Sequence, residues 1–274
     1  MIDSLAEATS ACLLAGNIIN RWLGEGGQTM TEMRQEEVVT EAALQGLIER
    51  AALFRLLAHG FVYPEPGNGA LLLSAMRNMA QHAGIGAADW SGLLAAWEES
   101  NDESLAQEYM RLFLGSAPCS LHETAYGDGQ RIAGKPRELA DIRGFYKAFG
   151  MTLSEQDPVP ADHLATELEF YSVLLLKQGY AMDEGWLEPL AVTEDAASKF
   201  MEQHLGRWLN AFVDGVRQQE ATAPYRLLAE VTAAVIAEES KRLGVHPELL
   251  SGRIANDAMQ EDALLCPRDE VGSQ

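Results

Sequence analysis

The sequence predicts an all-α protein, a single-domain helical bundle, and three observations support this class. Apolar residues recur every three or four positions over long stretches, the spacing that lines one face of a helix. No stretch shows the alternating apolar and polar pattern of a half-buried strand. Glycine and proline separate the helical stretches. With 274 residues, 47% of them hydrophobic, one large helical domain is favoured over two small ones.

The first half of the predicted domain begins at Glu36 with a long helix, which the segment YPEPGNG ends. Its predicted buried stripe is Val39, Ala43, Leu47, Ala51, Phe54, Leu57 and Phe61. Asp89 and Asp102 are predicted N-caps of two short helices, because an aspartate side chain accepts hydrogen bonds from the N–H groups of a first turn. The apolar residues of these helices are Leu93, Leu94 and Trp97, then Leu105, Tyr109, Leu112 and Phe113.

A long loop leads to the helices of the second half. Pro136 suits the first turn of the next helix, and Gly150 is predicted to end it. Asp162 is the predicted N-cap of a helix that ends at Gly179. One long helix is predicted from about Thr193 to Gln218 and another from Pro224 to Leu243.

The ends of the chain differ in composition from this middle part. Residues 1–35 contain a short amphipathic segment and the Gly-rich stretch GEGGQTMTEM, which predict a flexible N-terminal extension. Residues 36–251 form the predicted all-helical domain, and residues 252–274 form an acidic C-terminal tail.

Charge and cysteine content limit the partners and the compartment. A net charge of -21 argues against nucleic acid, whose phosphates need clustered Lys and Arg. Cys12, Cys119 and Cys266 are far apart and odd in number, which favours a reducing cytoplasm over a disulfide framework or a zinc site. Acidic residues precede the first apolar stretch, unlike a secretory signal, and no run has the ~20 apolar residues of a membrane span. We therefore expect no membrane insertion.

No sequence pattern predicts a catalytic or metal-ligating residue. None of the six histidines follows a glutamate at the three-residue spacing of di-iron helical bundles. The stretch GQRIAGKP matches G-x-x-x-x-G-K, but Pro136 replaces the Ser or Thr that holds Mg²⁺, and no apolar strand precedes it. A nucleotide-binding hydrolase that uses Gly129 to Lys135 is therefore the enzyme alternative.

Asp162 and His163 lie side by side at the start of an apolar helix. Adjacent helical residues point about 100° apart, which argues against an acid–base pair. With Glu167 and Glu169 they are predicted to form an anionic patch beside an apolar body. Such a patch suits a cationic, partly apolar peptide as well as it suits simple solvation.

Several stretches, in order, resemble the TorD/DmsD/NarJ family of molybdoenzyme maturation chaperones over roughly residues 40–240. They are EYMRLFLGSAP followed by HETAY, then ADIRGFYKAFGM, PADHLATELEFY and FMEQHLGRWLNAF. The resemblance implies a cytoplasmic, all-helical, non-catalytic chaperone that binds the twin-arginine signal peptide of a molybdopterin oxidoreductase catalytic subunit. It further implies that the chaperone delays export and assists insertion of the molybdenum cofactor, while binding no cofactor stably itself.

The resemblance also implies a peptide-binding set: Tyr109, Leu112, Phe113, Gly115, Pro118, Glu123, Tyr126, Pro160, Asp162, His163, Glu167 and Phe170. In this interpretation Tyr109, Leu112, Phe113 and Phe170 line an apolar groove, and Asp162 and Glu123 lie near the arginines of the peptide. Ordinary core packing is the alternative for Phe113 and Phe170. His204 and Trp208 match a later His-Leu-x-x-Trp piece of the family.

Two departures from the family pattern affect the shape of this groove. Gly115-Ser116-Ala117-Pro118 replaces the usual Gly-Pro, and Leu121-His122 replaces the usual Pro followed by an aromatic residue. A further alternative function is that of an acidic scaffold protein that binds only the mature part of its client, the molybdopterin oxidoreductase. The expected oligomeric state is a monomer or a domain-swapped homodimer, and the sequence does not identify the client's substrate.

Overall fold

The structure, a computed structural model, describes residues 30–82, 90–114, 118–127, 134–153 and 160–250. For residues 30–40 and 81–82 it describes the backbone alone. The predicted cap Asp89, Gly115 of the peptide-binding set, most of the Gly129 to Lys135 loop and the acidic tail lie outside this description. The domain boundaries predicted at residues 35 and 251 stay predictions.

Within the described residues the chain is helical and contains no strand, which confirms the all-α class. The first four helices are α1 Met30–Gly60, α2 Asn68–His82, α3 Trp90–Glu98 and α4 Asp102–Phe113. A 3₁₀ turn, Glu123–Ala125, lies in the following loop. The later helices are α5 Gly134–Ala148, α6 Leu164–Asp183, α7 Leu187–Phe200, α8 Gly206–Gln218 and α9 Ala223–Leu243. None of the described helices is both long enough and apolar enough to cross a bilayer.

Helices α1 and α6 cross the middle of the molecule in antiparallel directions. The Ser172 hydroxyl donates to the Ala51 carbonyl at 2.8 Å, and the rings of Phe54 and Tyr171 lie 4.5 Å apart. Nearer the end of α6, Gly179 faces Leu44 and Leu47 of α1. Helix α6 is buried apart from one face that contains Glu169, Leu176 and Tyr180, so its apolar residues extend around most of the helix rather than along one stripe.

The predicted stripe of α1 is mostly correct. Its members from Leu47 to Phe61 are buried. Ala43 is exposed, because Leu44 and Leu47 are the residues that face α6 at this level. The side chain of Val39 lies outside the described part.

Three predicted helix boundaries were wrong: α1 begins at Met30 instead of Glu36, and the other two have identifiable reasons. Asn101, not Asp102, caps α4, in a capping box with Ser104. The Asp102 carboxylate instead accepts a 2.8 Å hydrogen bond from the Gly67 N–H. Helix α6 does not end at Gly179 but continues to Asp183. Gly179 instead allows close contact with α1, since an added Cβ would lie 3.2 Å from Leu44 Cδ1.

The single long helix predicted from Thr193 to Gln218 is interrupted. Helix α7 already begins at Leu187, and the π turn Met201–Leu205 separates it from α8. A π turn inserts one extra residue per turn and so changes the direction of the side chains that follow. Elsewhere the prediction held: Pro136 lies in the first turn of α5, Gly150 ends that helix with a φ of 74°, and α9 spans Ala223–Leu243.

Candidate functional site

The loop of residues 118–127 is joined to the start of α6 by backbone hydrogen bonds. The Glu123 N–H donates to the Asp162 carbonyl at 2.9 Å, and the Leu164 N–H donates to the Leu121 carbonyl at 2.8 Å. Between them, His122 and His163 form an isolated antiparallel bridge. The sequence segments HETAY and PADH, far apart in the chain, therefore meet as one unit, which we call the loop–helix junction.

Asp162 is buried at this junction and does not cap α6. Its side chain accepts a 2.5 Å hydrogen bond from the Thr124 hydroxyl and lies 3.3 Å from His122 Nδ1. Burial alone would raise the pKa of Asp162, but the hydrogen bonds from His122 and Thr124 outweigh it and lower this pKa to about 2. Asp162 is therefore a carboxylate at neutral pH, held in place by two partners from the loop.

His163 is the residue that caps α6, which corrects the prediction of Asp162. Its Nδ1 accepts a 3.1 Å hydrogen bond from the Ala165 N–H, so this nitrogen carries no proton. Burial, with the charge of His122, lowers the pKa of His163 to about 4. A neutral ring removes the electrostatic objection to histidine at the positive end of a helix. The rings of His122 and His163 meet edge to face at 5.3 Å.

A second buried layer lies beneath the junction and contains Glu123, Glu167, His204 and Trp208, each at most 3% exposed. His204 Nδ1 lies 3.2 Å from Glu123 Oε2, and the Trp208 indole N–H donates to Glu167 Oε2 at 3.2 Å. Burial, followed by the charge of Glu123, raises the pKa of Glu167 well above its usual value. Glu167 is therefore the neutral carboxyl of the layer. The predicted anionic surface patch is wrong for Asp162 and Glu167, which are buried, although Glu169 is exposed.

The contact between His204 and Asp141 connects this layer to solvent. His204 Nε2 lies 3.3 Å from the exposed carboxylate of Asp141 on α5, although the two groups do not have hydrogen-bond geometry. The π turn before α8 contains His204 and places it between Glu123 and Asp141. His204 thus connects the loop, through Glu123, with α5, a helix that includes neither the HETAY nor the PADH segment.

The aromatic members of the predicted set lie mainly in the core. Tyr109 and Phe170 are at most 4% exposed, and the Tyr109 hydroxyl donates to the Phe61 carbonyl at 3.0 Å. Phe113 is partly buried and packs against Tyr109 and Tyr225. Tyr126 is buried and stacks on Trp208, with ring centroids 5.3 Å apart. Core packing is therefore the correct description of Phe170, whereas Phe113 reaches the surface in part.

The predicted peptide-binding set divides into a buried and an accessible group. The buried members are Tyr109, Leu112, Glu123, Tyr126, Asp162, Glu167 and Phe170. The members that reach solvent are Phe113, Pro118, Pro160 and His163. Pro160, His163 and the exposed edge of His122 form the outer surface of the junction, and Pro118 lies at the exposed start of its loop. Phe113 lies on α4, where its ring packs against Tyr109 and Tyr225.

Sequence reasoning missed three participants: His122, Thr124 and Asp141. His122 and Thr124 lie in the HETAY segment, but nothing in the neighbouring sequence indicates that they contact the Asp162 carboxylate, 40 and 38 positions later. In the described part of the chain, no three His, Cys, Asp or Glu side chains converge as metal ligands. The junction thus offers a rigid, partly accessible surface over a buried polar layer, and its polar contacts serve to hold two segments together.

Comparisons with known proteins found a matching family model, which covers this region, and several relatives. Residues 71–214 match the family model described as nitrate reductase delta subunit. A chlorate reductase assembly chaperone protein of Ideonella dechloratans is 31% identical over 150 residues, which make up 53% of this chain and 74% of that protein. A selenate reductase assembly chaperone protein of Thauera selenatis is 34% identical over 147 residues, covering 52% and 72%. A chaperone protein TorD of Vibrio cholerae is 29% identical over 137 residues, covering 49% and 60%.

Proposed function

The chain belongs to the nitrate reductase delta subunit family, the TorD/DmsD/NarJ family that its motifs resemble, and we propose that it is an assembly chaperone for the catalytic subunit of a molybdopterin oxidoreductase. One observation carries the proposal: the family match over residues 71–214 contains the whole loop–helix junction with His204 and Trp208. The chlorate and selenate reductase relatives, whose names describe assembly chaperones, support the same class. The chaperone acts in the cytoplasm and assists loading of the client's molybdenum cofactor.

The client contact in this proposal is a twin-arginine signal peptide, in which two arginines precede an apolar stretch. The net charge of -21 attracts such a cationic segment over long range. At closer range, the apolar stretch needs exposed apolar or aromatic surface, and the arginines need acceptors. The apolar surface is supplied at the junction by Pro118 and Pro160, and on α4 by the part of Phe113 that reaches solvent.

The acceptors for the arginines lie just below that surface. Asp162 is 2% exposed, but its partner His122 has 38% of its side chain in solvent. A guanidinium that displaces the His122 ring would reach an ionised carboxylate and form a charge-assisted hydrogen bond with it. The buried members of the predicted set, including Glu123 and Glu167, then serve to fix the loop against α6. Gly115 lies outside the described residues and remains a proposed member of the peptide-binding set.

Calorimetric titration with a synthetic signal peptide tests the proposal. The peptide comes from a molybdoenzyme encoded beside this protein, and the control peptide has both arginines changed to alanine. Saturable binding that is lost with the control supports signal-peptide recognition. Binding to neither peptide would contradict it and would favour the acidic scaffold that contacts only the mature client.

A matched variant separates recognition from folding. His163→Asn keeps a good N-cap residue on α6 but removes the ring from the outer surface. We expect this variant to unfold at a denaturant concentration close to that of the original chain and to bind the peptide more weakly. Sedimentation of the same samples, with and without peptide, distinguishes a monomer from a homodimer.

The nucleotide-binding alternative receives less support from the described residues. A phosphate-binding loop of the G-x-x-x-x-G-K type follows a β-strand. The described residues before this loop, 118–127, contain a 3₁₀ turn and no strand, and Gly134 and Lys135 are the first residues of α5. The relatives' names describe chaperones. A non-catalytic function is therefore our proposal.

A further inference from the structure

The chain that follows α9 turns back across the start of α8. Gly244 ends α9 with a φ of 69°, a left-handed conformation that glycine adopts without strain. We call residues 245–250 the strap. The Leu250 N–H donates to the Arg207 carbonyl at 2.9 Å, and the Arg207 guanidinium donates to the Glu248 carbonyl at 3.3 Å. These two hydrogen bonds hold the strap against the first turn of α8.

The strap contacts the end of the loop of residues 118–127. A Cβ added to Gly127 would lie 2.8 Å from Cδ2 of Leu250, so the leucine side chain lies directly against the glycine backbone. The neighbouring Tyr126 is buried and stacks on Trp208 of α8. The end of the loop is therefore attached at two adjacent residues, to α8 through Tyr126 and to the strap through Gly127.

A second residue of the strap lies beside the buried polar layer. A Cβ added to Gly206 would lie 2.6 Å from Cγ of Pro247, which shows that the two residues are in close contact. Gly206 directly follows the π turn that contains His204, and His204 Nδ1 lies 3.2 Å from Glu123 of the loop. The strap therefore contacts the loop itself and also the start of α8, next to the histidine that contacts the loop.

These contacts join a part of the chain outside the family match to the part inside it. The family model matches residues 71–214, which include Gly127 and Gly206, whereas the strap follows the match. Leu250 is half-buried, and its neighbour Leu249 is 58% exposed. The contact of the strap with Gly127 is made by the first of these leucines, so it can be changed separately from the rest of the strap.

We propose that the strap is a positioning element for client binding: Leu250 fixes the loop of residues 118–127 in the conformation that binds the peptide. This inference rests on the proposed function, because it takes the outer surface of the junction as the binding surface. Without the Leu250 side chain the loop populates other conformations, and the apparent affinity falls with the fraction of chains in the binding conformation. Because coupling between two sites is reciprocal, the bound peptide in turn stabilises the strap.

Hydrogen exchange without peptide tests whether the strap fixes the loop. Leu250→Ala should speed the exchange of residues 118–127 at least about tenfold, because local opening of the loop becomes more frequent. Leu249→Ala, the matched control, changes an exposed leucine of the same strap and should leave this exchange unchanged. Helix α1 should exchange equally in both variants, which shows that the chain remains folded. Equal exchange of the loop in the two variants would overturn the proposal.

Calorimetric titration with the synthetic twin-arginine signal peptide tests the effect on binding. Leu250→Ala should bind at least about tenfold more weakly than the original chain, and Leu249→Ala should bind as tightly as the original chain. Unchanged affinity of Leu250→Ala would overturn the positioning role while the proposed function stands. If the original chain binds no peptide, the proposed function fails, whereas the exchange of the loop still decides whether the strap fixes it.

A measurement on the original chain needs no substitution. Bound peptide should slow the exchange of the Leu250 N–H, which donates to the Arg207 carbonyl. A contact that only stabilises the fold would not respond to the peptide. Unchanged exchange of residues 245–250 in the peptide-saturated protein would overturn the proposal, even if Leu250→Ala unfolded the chain.

Discussion

The carboxylate of Asp162 lies 3.3 Å from Nδ1 of His122, a residue forty positions earlier in the chain. With the 2.5 Å hydrogen bond from Thr124, this contact fixes the loop of residues 118–127 to the start of α6. Asp162 therefore stabilises the tertiary structure in addition to its proposed contact with an arginine. Peptide binding by variants at this position has to be compared at equal degrees of folding.

Asp162→Ala should destabilise the protein by about 2–4 kcal/mol, well above the ~1 kcal/mol expected for loss of a helix cap. The alanine leaves the buried Thr124 hydroxyl and the His122 ring without their acceptor. Urea unfolding measures the change. Asp162→Asn keeps an oxygen that accepts from Thr124 and should lose less. A loss near 1 kcal/mol for the alanine variant would mean that the two hydrogen bonds contribute little.

His163→Ala should cost about 1 kcal/mol of unfolding free energy, because it removes the acceptor for the Ala165 N–H at the start of α6. His163→Asn should restore most of this loss, since asparagine is among the best N-cap residues. Thermal or urea unfolding of the two variants measures the difference. Equal stability of the alanine and asparagine variants would show that capping is not the role of the ring.

The pH dependence of stability should show two separate losses on acidification. Burial lowers the pKa of His163 from 6.5 to about 4, so the unfolded chain binds a proton first. The stability due to neutral His163 is present above pH 6.5 and is lost as the pH falls through 4. Burial opposes the ionised form of Asp162, but hydrogen bonds from His122 and Thr124 outweigh burial and lower the pKa of Asp162 from 3.8 to about 2. The stability that ionised Asp162 contributes is therefore lost as the pH falls from 3.8 to about 2.

Unfolding free energies measured from pH 7 to pH 3 test the first of these losses. His163→Asn removes the group that titrates and should flatten the curve between pH 6.5 and pH 4. An unchanged curve in this variant would assign the loss to another group.

The sequence was most informative where local chemistry decides the structure. Gly150 ends α5 with a positive φ, and Pro224 lies in the first turn of α9, because each residue's own backbone preferences favour those positions. The motif segments HETAY and PADH were also recognised without the structure. Both belong to the region that the family match covers.

The sequence was least informative where a distant residue decides the outcome. Asp162 has the side chain of a good cap, but Thr124 and His122 hold it inside the junction, and His163 takes the capping role instead. Glu167 was expected at the surface, yet α6 is buried on nearly all sides and Trp208 covers this residue. Such tertiary contacts leave no signal in the spacing of apolar residues.

Glu167→Gln should make the protein more stable at pH 7. Burial, then the charge of Glu123, raises the pKa of Glu167 well above 4.5, so this carboxyl is neutral in the folded protein and ionised in the unfolded chain. Folding near neutral pH therefore requires uptake of a proton, and stability is lost as the pH rises above 4.5. Glutamine has the same shape, stays neutral at every pH and still accepts from the Trp208 indole N–H.

The gain should be largest at pH 7 and should shrink toward zero near pH 4, where the glutamate of the unfolded chain also becomes protonated. Urea unfolding at the two pH values measures it, and Glu169→Gln, at an exposed position on the same helix, is the matched control with little change at either pH. If Glu167→Gln instead lowers stability equally at pH 7 and pH 4, the carboxyl has no raised pKa.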